Sequence, residues 1–319
     1  MTTSDLRSHI GSYLELRQSL GFKTRYQGNV LRAFSDYLDA HEHQGPLLAR
    51  SAVEWAATES PRKAGPPGQR VRLVVLRGFM RHLKVFFPDT QVPGPGVLAR
   101  VTRQKPYIYS QEEISNLQET AFLLWKPGSM RQHVMCTLIG LLACTGLRAS
   151  EALCLTLDDL KLDLDPPHIL IRNTKFYKSR FVPIHPTTTE KLRLYLQMRK
   201  QLCPSSSSKA VFLKDTGEPL RYHNALANFR AITHQAGIQS TAGRRQPALH
   251  ALRHTFAVAR LVSWHYAGLD ARTLLPHLSV YLGHVSLEET YWYLTATPEL
   301  LTAASASFES HVDSGGPNE

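Results

Sequence analysis

Apolar side chains return every three or four positions through much of the chain, and that spacing predicts a succession of helices. Leu6, Ile10 and Leu14 mark a first helix ending near Gly21, and Val30, Leu31, Phe34 and Leu38 mark a second. Ser51 followed by Glu54 has the pattern of a capping box, which would open a third helix around Trp55. A fourth runs from about 67 to 87, with Leu73, Leu76, Met80, Leu83 and Phe87 along one face. The periodicity fails at ValProGlyProGly (92–96) and ArgGlnLysPro (103–106), where proline and glycine favour irregular chain. These breaks divide the sequence into a helical domain over 1–95, a linker over 96–108, a second domain over 109–309 and a tail over 310–319 expected to be disordered.

In the second domain Ser110 with Glu113 predicts another capped helix, reaching about 123, and further helices follow near 130–145 and 149–155. The pattern then shifts to strands between 160 and 184, with IleLeuIle (169–171) and PheValProIle (181–184) flanking a turn. Helices resume near 187–200 and 221–236. Two more begin near His250 and Asp270, a short one carries Tyr293, and a last runs from Thr297 to Phe308. The fold class is mainly α with a small antiparallel β-sheet.

Charge narrows the partner. The chain of 319 residues has a formal net charge of +11, which suits a polyanion. Seven lysines and arginines and no acidic residue fall between Arg62 and Lys84. Arg70, Arg77, Arg81 and Lys84 line the flank of the fourth helix, where phosphate contacts are expected. Double-stranded DNA is the natural partner. Cys136, Cys144, Cys154 and Cys203 lack metal-ligand spacing and are expected to be reduced, buried packing residues. The first residues lack the apolar core of a signal peptide, and the longest apolar run, 134–147, is shorter than the roughly 20 residues a membrane span needs. A cytoplasmic protein without a membrane segment is expected.

The candidate chemistry lies in the second domain. Arg148 follows Gly146 in ThrGlyLeuArgAlaSerGlu (145–151), and HisAlaLeuArgHis (250–254) brings His250 and Arg253. LeuGlyHis (282–284) ends in His284, nine residues before Tyr293. Two guanidiniums suit the non-bridging oxygens of a phosphodiester, because they stay charged and offer paired donors. A tyrosine hydroxyl titrates near ~10 and needs a base or a positive pocket before it attacks. His250 is the candidate for taking or sharing its proton. His250 and His254 are four apart on a helix, but no glutamate follows the first and no third ligand is near, so a metal pair is not expected. His254 is read as packing or hydrogen-bonding within the helix layer. Tyr291 and Tyr293 lie about 200° apart on a helix, so only one can face the pocket.

In order and local motif, Arg148, Lys175, His250, Arg253, His284 and Tyr293 resemble the tyrosine recombinase, or phage integrase, family. The resemblance implies a helical N-terminal core-binding domain and a mixed α/β catalytic domain, closing on a duplex as a C-shaped clamp. It implies site-specific cutting and rejoining of DNA through a 3′-phosphotyrosine and a Holliday junction, by a homotetramer on paired sites that related recombinases can join, with no cofactor. Family spacing favours Tyr293 as the nucleophile and makes the first lysine of the turn, Lys175, the general acid. Lys178 and Arg180 become candidate DNA contacts, and His284 a donor to the phosphate. The stretch 275–301 is similar to recombinases of transposable elements. Two other functions stay open: a type IB-like topoisomerase, and a catalytically silent DNA-binding subunit of a multi-recombinase element.

Overall fold

The computed structural model describes residues 3–58, 65–98, 105–172, 179–240, 245–284 and 286–296. The chain divides into two compact units, Met1–Arg103 and Gln104–Glu319.

The first unit consists of α1 (Thr3–Ser19), α2 (Arg25–Ala40), α3 (Ala49–Ala57) and α4 (Pro66–Leu83). Each turns its apolar stripe inward. Leu6 and Ile10 meet Leu31, Phe34 and Leu38, Trp55 stacks obliquely on Phe34, and Leu73, Leu76, Met80 and Leu83 complete the core. The capping box expected at Ser51 does not form, because α3 starts earlier, with Leu48 at its N-cap position. Leu47, fully buried, anchors the chain just ahead of that start, so Ser51 falls inside the first turn.

The four basic residues expected to meet phosphate, Arg70, Arg77 and Arg81 on α4 and Lys84 at its C-cap, divide into two groups. Arg70, Arg81 and Lys84 are exposed. Arg77 instead turns to the segment that follows α4, donating from Nε to Pro93 O at 3.0 Å and from Nη2 to Gly94 O. It acts as a brace for that segment, which the charge pattern alone could not reveal.

The second unit opens with α5 (Gln111–Leu123), whose predicted cap is present. Ser110 Oγ accepts from the Glu113 N–H at 3.0 Å, and the Ser110 N–H donates to Glu113 Oε2 at 2.8 Å. Then come α6 (Met130–Thr145), α7 (Ala149–Leu153), a 3₁₀ turn (Leu157–Asp159), strands β1 (Leu160–Lys161), β2 (His168–Ile171) and β3 (Arg180–Pro183), and helices α8 (Pro186–Leu202) and α9 (Tyr222–Gln235). The strands form one antiparallel sheet in chain order, with Ile169 opposite Val182 and Ile171 opposite Arg180. Ile169, Ile171 and Val182 point to the core, as the two-residue period of a strand requires. Helix α6 is buried along most of its length and packs against α5, α8 and α10 (Leu249–Tyr266). Finally α11 (Ala271–Leu282) and α12 (Glu288–Ala296) build a second core with α10 from Ala257, Val258, Leu261, Leu275, Leu278, Leu282 and Tyr293.

All four cysteines are free thiols, but the expectation that they are buried holds only for Cys203. Cys144 and Cys154 are exposed and Cys136 half-buried. The run 134–147 is apolar on every side, so its composition does not tell which face meets solvent. No helix among the described residues is long and apolar enough to cross a membrane.

Candidate active site

Two glycine-ended helices and one buried arginine organise the site. Gly146 terminates α6 with φ 63°, in the left-handed region, and a Cβ there would lie 2.4 Å from Phe256 Cδ1. Gly283 terminates α11 in the same way, with φ 69°. Its N–H bonds Val280 O at 2.9 Å and that of His284 bonds Ser279 O at 2.9 Å, closing the helix end. Arg253, on α10, is 1% exposed and joins these two ends: Nη1 donates to Gly146 O at 2.8 Å and Nη2 to Leu282 O at 2.7 Å. A cation is favourable there, since helix C-termini present unpaired carbonyls and the negative end of the dipole.

Arg148 stands at the N-cap position of α7. Its backbone N–H donates to Glu151 Oε2 at 3.0 Å, Nη1 to Glu151 Oε1 at 2.9 Å and Nη2 to Gly283 O at 2.9 Å. Glu151 also receives Arg180 from β3, through Nη1 at 3.1 Å and Nη2 at 2.8 Å, while Arg180 Nε donates to Tyr281 O at 2.8 Å. Arg180, expected at a DNA contact, is therefore committed to the protein interior; its side chain is 11% exposed. Glu151 thus ties Arg148, at the start of α7, to Arg180 on β3. The signal for it was the position of Arg180 at the inward-facing start of a strand.

Arg148, His250, Arg253, His284 and Tyr293 come together in this unit. His284 Nδ1 and Thr290 Oγ1 are 2.7 Å apart, which orients the imidazole, and its ring lies 6.2 Å from that of Tyr293 in a stacked arrangement. Tyr293 faces inward at 2% exposed, whereas Tyr291 is 47% exposed, as their angular separation on α12 demands. Lys175 and Lys178 lie outside the described residues, as do the helix expected over 297–308 and the tail over 310–319.

The pocket gathers three guanidiniums, of Arg148, Arg180 and Arg253, around the carboxylate of Glu151. Burial, then Arg253 and Arg148, push His250 down to about 4. Burial and the same two arginines push His284 down to about 3, so both imidazoles are neutral at pH 7. Burial and Arg148 lower Arg253 to about 10, which leaves it charged at neutral pH. Burial alone would raise the Glu151 carboxyl, but hydrogen bonds and charge from Arg180 and Arg148 outweigh it and hold the group below the usual carboxylate range.

The last shift has a consequence for stability. A depressed folded-state pKa contributes stability that is present above the unfolded value, near ~4.3 for glutamate, and is lost as pH falls through the folded value. Glu151→Ala should cost about 3 to 5 kcal/mol at pH 7, because it leaves buried Arg180 uncompensated. The deficit should shrink as the wild type is acidified below pH ~4. Urea unfolding at pH 7 and at pH 3 checks both statements; a deficit unchanged by acid would contradict the ion-pair explanation.

His254 was read as packing or hydrogen-bonding within the helix layer, and the structure gives it a specific partner. Its Nδ1 lies 3.0 Å from Tyr293 Oη, and the residue is 9% exposed. The His250 and His254 rings meet edge to face at 4.6 Å. That ring contact follows from the four-residue interval, which puts both imidazoles on one face of α10. Among the described residues no group of three or more His, Cys, Asp or Glu side chains is placed to hold a metal ion.

Residues 109–299 match the model of the Phage integrase family. A Sinorhizobium fredii protein designated an integrase/recombinase, y4rB, is 37% identical over 96% of this chain and 98% of its own length. Tyrosine recombinase XerA of Thermococcus kodakarensis is 28% identical over 86% of this chain and 88% of its own. The Tn1549 transposon integrase, solved in complex with transposon right end DNA, superposes with a TM-score of 0.66 at 18% identity, covering 95% of this chain and 98% of that one.

Proposed function

Because the chain belongs to the phage integrase family and is a tyrosine recombinase, we propose that it cuts and rejoins double-stranded DNA at specific sites with Tyr293 as the nucleophile. The observation that carries this reading is the placement of the Tyr293 hydroxyl on the inner face of α12, beside His254 and His284 and close enough to Arg253 to influence its ionisation. A phenol needs such a setting. Surrounding positive charge favours the phenolate, and the guanidiniums offset the charge that grows on the phosphate in the transition state.

Arg148 and Arg253 each have five N–H donors. The bonds they make to Glu151, Gly283, Gly146 and Leu282 fix both forks in place and leave further donors for phosphate oxygens. This preorganisation matters because nothing has to be reordered when charge develops. His284, neutral and held by Thr290, donates to a non-bridging oxygen, and His250 lies at the cleft beside Arg148, Ser150 and Tyr222. Attack by Tyr293 Oη forms the O–P bond and breaks the bond to the 5′ oxygen, which takes a proton from Lys175. The product is a 3′-phosphotyrosine. Its ester keeps the energy of the broken bond, so the reverse attack by a new 5′ hydroxyl rejoins the strand.

Four protomers on two duplexes would exchange one strand pair, form a Holliday junction and exchange the second, moving or excising a mobile element. Exposed Arg70 and Arg81 on α4, with Lys84 at its C-cap, are the first unit's candidate phosphate contacts. The test is a plasmid with two direct copies of a duplex that the protein selects from a random-sequence pool. Excised circles are expected. Relaxed topoisomers without circles would indicate a type IB-like topoisomerase, and binding without either product a silent subunit.

A further inference from the structure

We propose that His254 is the base for Tyr293: its Nδ1 accepts the hydrogen bond of the phenol and takes the phenolic proton as the O–P bond forms. The inference rests on Tyr293 being the nucleophile. Direct contact comes first, since Nδ1 is 3.0 Å from Oη, within the range for a proton-transferring pair. Burial comes second. At 9% and 2% exposed, the two groups meet away from bulk water, which would otherwise compete for the bond. Packing comes third, because the tyrosine sits in the core built by α10, α11 and α12, with His254 and His284 against its ring, so the hydroxyl is aimed rather than free to rotate away.

The same geometry redefines His250. Its ring stands edge-on to His254 at 4.6 Å and reaches the surface of the cleft beside Arg148. It thus lines the cleft side of the buried imidazole. The step balances: Oη–P forms, P–O5′ breaks, Lys175 supplies the proton that the 5′ oxygen gains, and His254 holds the one that the phenol loses.

The test uses the full-length protein and the duplex selected from a random pool, nicked in turn at each position so that a cut strand cannot be resealed. His254→Asn is the deciding variant. Asparagine places an amide oxygen where Nδ1 stood, which keeps an acceptor for the phenol but cannot take its proton. With wild-type adduct mapped to Tyr293, His254→Asn and His254→Ala should each slow adduct formation by about 10² to 10⁴, the range for loss of a general base, with DNA binding retained. Placing a more acidic fluorinated tyrosine at position 293 should restore most of the lost rate to His254→Asn, since that phenol needs less help. A rate within about threefold of wild type in both variants would overturn the proposal. Near-normal activity in His254→Asn alone, or no rescue by the acidic phenol, would reduce His254 to an orienting group and also overturn it. An adduct on another residue, or none from wild type, would overturn the nucleophile assignment itself, and the proposal with it.

Discussion

Tyr293→Phe is expected to abolish covalent attachment to DNA while leaving the fold and site binding in place. The change removes one oxygen from a side chain that otherwise stays in the core built by α10, α11 and α12. Losing the bond to His254 Nδ1 should cost about 1 kcal/mol, small against the stability of a domain. Binding should survive, because affinity for a duplex comes mainly from cations that meet the phosphate backbone. The measurement pairs a gel shift with a denaturing gel of the same mixture. A shifted band and no covalent band is the expected pair, whereas a covalent band at wild-type level would assign the chemistry elsewhere.

Arg253→Ala should damage the protein in two separable ways. Catalytically, removing a preorganised donor from developing charge costs roughly 10² to 10³ in rate, or about 3 to 4 kcal/mol. Structurally, Arg253 is the side chain that ties the ends of α6 and α11 to α10, and its loss strands the carbonyls of Gly146 and Leu282 in a buried place. Each unmade bond there should cost about 1 to 3 kcal/mol. Arg148→Ala is the informative contrast. Its side chain is 28% exposed, so water can reach the partners it leaves behind. A comparable loss of adduct rate with a clearly smaller drop in unfolding free energy is expected. Equal destabilisation by both substitutions would show that the buried tie across α10 is not what distinguishes them.

How far the chain could be read in advance depended on how local each feature is. The capped start of α5 and the left-handed end of α6 are decided within a few residues, and Ser110, Glu113 and Gly146 announce them. The start of α3 is decided instead by Leu47, whose burial against other helices overrides the Ser51 pattern. Arg77 and Arg180 carry the same charge as their exposed neighbours, yet one braces a following segment and the other pairs with Glu151 across 29 positions. Only the tertiary fold separates a phosphate contact from a structural cation. The partners of Tyr293 belong to the same class. Helical geometry was enough to say that Tyr291 and Tyr293 face opposite ways, but the bond between Tyr293 and His254 spans 39 positions and has no local signature.

The most direct test of Tyr293 as the nucleophile is to incubate the wild-type protein with a nicked suicide duplex, isolate the covalent complex on a denaturing gel and map the modified peptide. A single adduct on Tyr293, joined to the 3′ phosphate of the cut strand, is expected. An adduct on Tyr291 or any other residue, or a complex that binds the same duplex tightly and never becomes covalent, would contradict it.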